Sequence, residues 1–189
     1  MFGWQTKAQK LLSRRIAHEV LSALECSPNS KPDDCGFAHA FKRIDATPRK
    51  ITKKERDWAD AEAVNSAKRL PADSWWPKLL RQVVDNYEGK YKAQPLPTEI
   101  HSLRFGDLAI VTNPFELFVD YAFQIMGRSP ALQTSVAQLA NGTGIYLPTA
   151  RGAQNGSYGA MPAVAPIGPE GGQEVVETSI ELITKLFAK

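Results

Sequence analysis

Two side chains late in the sequence carry groups able to do chemistry at positions where sites are usually built. Asp107-Leu-Ala-Ile-Val-Thr-Asn113 reads as a buried strand that runs into Asn113-Pro-Phe-Glu116, and Asn141-Gly-Thr-Gly-Ile-Tyr146-Leu-Pro-Thr149 follows further on. A carboxylate and a phenol therefore fall at element ends, where both can hydrogen-bond and both offer oxygen to a ligand. Each also has an ordinary reason to be there. Glu116, just past Pro114, suits the first turn of a helix through the helix dipole. Tyr146 can plug the core with its hydroxyl at the rim.

The elements that must position these groups follow from periodicity. Leu12, Ile16, Val20 and Leu24 fall on one face of a predicted helix over residues 4–25. Phe37 to Ala46 alternates as a strand, and Thr52-Lys-Lys-Glu55 is a capping box opening a helix that ends near Pro71. Asp73 or Ser74 caps the next helix, which tolerates Pro77 in its first turn and stops at Gly89. Tyr91 to Pro97 reads as a connector. Glu99–Phe105 and Leu108–Thr112 pair across the Gly106-Asp107 turn. A helix over Phe115–Met126, a strand over Thr134–Leu139 and a closing helix over Val175–Phe187 complete the set. The pattern is α/β, a mixed sheet flanked by helices, with residues 1–92 helical and basic and residues 93–189 carrying the motifs.

Ala140 to Gly172 is expected to be loop, because it is rich in Gly and Pro. A loop of that length inside a compact domain is either functional or a flexible surface segment. Asn141, Tyr146, Thr149, Arg151, Asn155, Ser157 and Tyr158 supply hydrogen-bonding groups, and its glycines let backbone approach a ligand. Gly168-Pro-Glu-Gly-Gly172 can be read as a phosphate cradle, but no Lys-Ser/Thr follows and Glu170 and Glu174 repel an anion; a helix-entry turn is the better account.

Composition narrows the classes. The chain has 189 residues, 43% hydrophobic, with a net charge of +3, enough for one sizeable core. No stretch approaches the roughly 18 to 20 apolar residues of a membrane helix, and Met1-Phe-Gly-Trp-Gln-Thr-Lys7 lacks a signal-peptide pattern. A soluble chain without an export signal is expected. The basic run from Arg49 to Arg56 is interleaved with Glu55 and Asp57, which favours a solvated helix face over nucleic-acid binding. Cys26 and Cys35 bracket a short polar loop that a disulfide can close in an oxidising compartment, or they stay as free thiols; the ligand count argues against a zinc site on them.

The order of strand, Asn-Pro-Phe-Glu, helix, strand, Asn-x-x-x-x-Tyr-x-x-Thr, a Gly/Tyr loop and Gly-Pro-Glu-Gly-Gly resembles the neutral ceramidases and their bacterial relatives. The resemblance covers about residues 98–187, and residues 4–92 are similar in arrangement to the helical segment that precedes those motifs. It implies a segment of a larger catalytic domain, the later half of a zinc amidohydrolase acting on an N-acyl amide such as a sphingolipid. It implies Glu116 and Tyr146 as zinc ligands and Tyr158 as the tyrosine that polarises the scissile carbonyl. It also implies two histidine ligands in an upstream half, which would be the partner that makes the site active. Family members are commonly secreted or periplasmic, and the two sequons, Asn141-Gly-Thr143 and Asn155-Gly-Ser157, matter only in a eukaryotic secretory cell.

The histidines present, His18, His39 and His101, fall outside any matching motif and read as surface or structural side chains. Ser27-Pro-Asn29 matches a ceramidase motif in letters but follows the first helix instead of preceding it, so a turn explains it. A non-catalytic α/β module that kept the fold and lost the chemistry is the alternative.

Overall fold

The computed structural model describes residues 7–26 and 36–188. The described residues of the first unit form helix α1 (Lys7–Cys26), on which no residue is buried and Leu12, Ile16, Val20 and Leu24 are exposed. Cys26 is exposed at its end; Cys35 and the Ser27-Pro28-Asn29 turn lie outside the described residues.

The second unit is built on a four-stranded mixed sheet of β1 (Phe37–Ala46), β2 (Leu96–Phe105), β3 (Leu108–Thr112) and β5 (Gln133–Ala137), in the order β1-β2-β3-β5. The first three strands are antiparallel neighbours; β5 runs parallel to β3 after a crossover through α4 (Val119–Arg128). Strand β2 begins at Leu96, inside the expected connector, because Leu96 and Pro97 pair with Ala46 and Asp45 at the end of the long β1 ladder.

The last helix, α6 (Pro169–Phe187), lies across the core face of β1 and β2 and against α4. Its Val175, Val176, Leu182 and Ile183 close a core with Ile100, Val111, Phe115, Tyr121 and Ile125. Arg104 fixes its C-terminal end, donating to the Leu186 carbonyl at 2.8 Å while its guanidinium lies 4.4 Å from the Phe187 ring centroid. Helices α2 (Lys53–Arg69) and α3 (Trp75–Tyr87) share a smaller core of Ala59, Ala63, Leu80, Val83 and Val84. The Thr52 capping box forms, with Glu55 bonded back to Thr52, and Gly89 stops α3 with φ +75°. The expected basic face is only partly solvated. Lys53 and Arg56 pair at the surface with Asp57, but Arg49 is 4% exposed, bonded to Glu55 and to the Ala160 carbonyl.

Two expectations are overturned here. The helix after Pro114 does not begin at Phe115: Glu116 and Leu117 form a short strand, β4, and α4 starts at Val119. The Gly- and Pro-rich stretch is not structureless either. It holds the short strand β6 (Tyr146–Leu147), helix α5 (Ala150–Asn155), a 3-10 turn at Tyr158–Ala160 and the first turn of α6. Thr149 caps α5 through the Gly152 N–H at 3.2 Å, and Gly156 ends it with φ +66°. Gly168-Pro-Glu-Gly-Gly172 is the helix entry the sequence suggests, with Gly168 at the cap and Pro169 in the first turn.

Candidate functional site

Asn113-Pro-Phe-Glu116 works as a unit. Asn113 is fully buried, and its side-chain oxygen accepts from the Phe115 N–H at 3.0 Å, a local turn that ends β3. The chain then reverses so that Phe115 drops into the core with no exposed surface and Glu116 emerges on β4. Burying a phenyl ring contributes on the order of 2 kcal/mol, so Phe115 anchors the residue that follows it.

Strand β4 pairs in parallel with β6, and the register sets Glu116 opposite Tyr146 and Leu117 opposite Leu147. The ladder is closed by Glu116 N–H to Ile145 O at 2.9 Å and Phe118 N–H to Leu147 O at 3.2 Å. Gln138, which the sequence did not single out, locks the outer side of β4. Its oxygen accepts from Leu117 N–H at 2.9 Å, and its amide donates to Leu117 O at 3.2 Å.

The Glu116 carboxylate beside Tyr146, with desolvation and the neighbouring Tyr158, raises the Tyr146 pKa above the ordinary tyrosine value. Tyr158 completes the group. Its ring meets that of Tyr146 edge to face, with centroids 5.7 Å apart and planes at 78°. It is 64% exposed, so its hydroxyl is available to a ligand. Gly159 makes the approach possible, since a Cβ there would sit 2.8 Å from the Tyr146 ring. The loop glycines thus serve aromatic packing, Gly144 against Phe115 and Gly152 against Phe118.

The backbone leading into Tyr146 is strained. Leu139, Asn141 and Ile145 have φ of 53°, 60° and 59°, and a β-branched residue in the left-handed region costs on the order of 1 to 2 kcal/mol. Such strain concentrates where geometry is held for function.

Glu116, Tyr146 and Tyr158 therefore meet at the separate two-stranded sheet formed by β4 and β6. Of the other polar loop residues, Thr149 serves as a helix cap, while Asn141, Arg151, Asn155 and Ser157 are exposed. Glu116 and Tyr146 offer two oxygen donors, half of a tetrahedral zinc shell, and do not hold the ion by themselves. Among the described residues no three His, Cys, Asp or Glu side chains gather in a metal-binding group. No helix among the described residues is long and apolar enough to cross a membrane. No protein-family model matches the chain, and no curated protein matches it significantly.

Proposed function

We propose that the chain carries the carboxylate and phenol half of a zinc amidohydrolase site of the neutral ceramidase kind, acting on an N-acyl amide, with the imidazole half supplied by another polypeptide segment. The observation that supports this reading is the convergence of Glu116, Tyr146 and Tyr158 on the β4–β6 ladder. When bound in a completed shell, zinc would supply an acidified water as nucleophile.

The chain's own residues have definable parts. The Glu116 carboxylate raises the Tyr146 pKa in the free chain, so a cation held by the two oxygens would have to displace the phenol proton. Tyr158, exposed beside them, donates to the oxyanion that develops on the amide carbonyl. A cavity of about 690 Å³ borders the same loop, with Trp58, Ala153, Ala160, Met161 and Pro162 along its apolar wall. Lys50, Lys54, Asn155 and Glu170 line the rest of it, so the apolar wall would take an acyl chain and the charged part a polar head.

The test begins with the coding sequence upstream of Met1 and with any neighbouring gene. A segment carrying two histidines in a metal-binding context, produced together with this chain, is expected to give chelator-sensitive hydrolysis of an N-acyl amide. In that assembly Tyr158→Phe should lower kcat about a hundredfold or more with little change in KM, as loss of an oxyanion donor does. A promoter and stop codon directly before Met1, with no partner gene, would sink the enzyme reading and leave the non-catalytic module.

A further inference from the structure

The sequence gives no reason to group His39 with His101, yet the antiparallel register brings them together. Phe41 lies opposite His101 and His39 opposite Leu103, so the two imidazoles are diagonal neighbours on one face of β1 and β2. His39 Nε2 and His101 Nδ1 are 3.0 Å apart. The ring centroids are 5.3 Å apart with planes within 7°, so the rings meet edge to edge, each nitrogen aimed at the other.

Glu99 decides which nitrogen carries the proton. Its Oε2 lies 3.4 Å from His101 Nε2, and its Oε1 accepts from Arg43 Nε at 2.6 Å. A proton on His101 Nε2, facing that carboxylate, leaves Nδ1 as a lone pair pointing at His39. This is the carboxylate and histidine arrangement that orients metal ligands. Phe41 walls one side, its ring 5.5 Å from that of His101.

We propose that His39 and His101 form a surface site for a divalent transition-metal ion, copper(II) ahead of zinc(II), separate from the Glu116 and Tyr146 pair. Two imidazole nitrogens bound at right angles, each about 2.1 Å from a metal, lie about 3.0 Å apart. The observed separation has that value, but it is held by a hydrogen bond along the line joining the two nitrogens, so each ring must turn by about 45° to direct its lone pair at a shared ion. The proton shared between the rings moves to His39 Nδ1 as the ion takes its place. The remaining coordination positions face solvent and take water, which makes the site exchangeable. Imidazole donors and the stability order of the first-row ions place copper(II) first.

The experiment is a copper(II) titration of the full chain in a Cys26→Ser/Cys35→Ser background, which keeps the thiols from reducing the ion, read by electron paramagnetic resonance. One copper per chain with two nitrogen donors is expected. Affinity should fall at least tenfold in His39→Ala, in His39→Gln and in His101→Ala, and should persist in His18→Ala and Glu116→Ala. No copper binding, or binding that survives both His39 variants, overturns the proposal. Neither result touches the amidohydrolase reading, whose variants lie at Glu116, Tyr146 and Tyr158. Conversely, zinc uptake lost in His39→Ala but kept in Glu116→Ala belongs to this pair.

Discussion

Two tyrosine hydroxyls in this protein are held protonated by different neighbours. Tyr121 is 3% exposed and donates within reach of two carbonyls, Pro148 O at 3.1 Å and Pro169 O at 3.2 Å. Burial, with Glu170 and Asp120 nearby, pushes its pKa up to about 12 from 10.0. The folded protein keeps this proton when the unfolded chain has lost it, so the contribution is complete below pH 10 and lost as pH rises toward 12. Tyr121→Phe should cost about 1 to 2 kcal/mol at neutral pH, because both carbonyls lose their donor. Its denaturant midpoint should also fall less steeply than that of the wild type across the alkaline window. Tyr146 owes its raised pKa first to the Glu116 carboxylate. Ultraviolet titration of Glu116→Ala should therefore show one tyrosine ionising at lower pH than in the wild type; unchanged tyrosine titration would contradict the pairing. At this scale Glu116, Tyr146 and Tyr158 were legible as polar groups at element ends or in a Gly-rich loop. Gln138 was not, because a glutamine that satisfies both backbone groups of Leu117 leaves no sequence pattern.

Elements show why part of the pattern misled. Residues 115–126 have helical periodicity, but the ladder to Ile145 and Leu147 holds Glu116 and Leu117 extended, and a two-residue strand whose partner comes thirty residues later has no local signature. The same remoteness hides the pairing of His39 with His101, whereas the Thr52 capping box and the β2–β3 hairpin are local and were readable. Helix α6 adds a second lesson. A Cβ at Gly172 would sit 2.3 Å from the Tyr121 hydroxyl, so the helix entry is glycine-rich for close packing as well as for the turn. Gly172→Ala gains up to about 1 kcal/mol of helix propensity, yet should destabilise overall by about 1 to 3 kcal/mol through overpacking, measured by denaturant unfolding. Arg49 ties the start of α2 to the turn that carries Tyr158, through Glu55 and the Ala160 carbonyl. Burial raises the Glu55 pKa, but the Thr52 N–H and the Arg49 guanidinium outweigh it and leave the carboxyl below its ordinary value. That support is present above pH 4.5 and lost as pH falls through the folded value. Arg49→Met should cost about 1 to 3 kcal/mol near neutrality by removing the ion-pair partner of Glu55 and the donor to the Ala160 carbonyl, with a smaller difference from wild type in acid.

The sheet of the second unit is two-faced. Ala40, Ile100, Ala109 and Val111 belong to the face that α6 covers, or pack against its core. By strict alternation Phe37, His39, Phe41, Leu103, Phe105, Leu108 and Ile110 project from the other face. Phe37 and Phe41 are 64% and 55% exposed, and Phe37 and Phe105 touch with ring centroids 5.1 Å apart. Strands β1 and β2 each run ten residues, so this pair alone presents a surface of roughly 33 by 10 Å. Arg43, Glu99, His39 and His101 share this face, so its apolar part gathers at the end where Phe37, Phe105 and Leu108 lie beside Leu103 and Ile110, a contiguous rather than scattered apolar surface. The folded chain should therefore bind an environment-sensitive hydrophobic dye such as anilinonaphthalene sulfonate while its near-ultraviolet circular dichroism stays native. Phe41→Ser and Phe105→Ser should each lower that fluorescence by about half while lowering the unfolding midpoint only slightly, because both rings lie at the surface and their removal opens no internal cavity. A molten state would behave differently: dye binding would then persist in both variants, and the near-ultraviolet signal would already be lost in the wild type. Native circular dichroism with dye binding reduced by both substitutions would assign the exposed surface to the sheet face; native circular dichroism with no dye binding would show that face to be covered in solution.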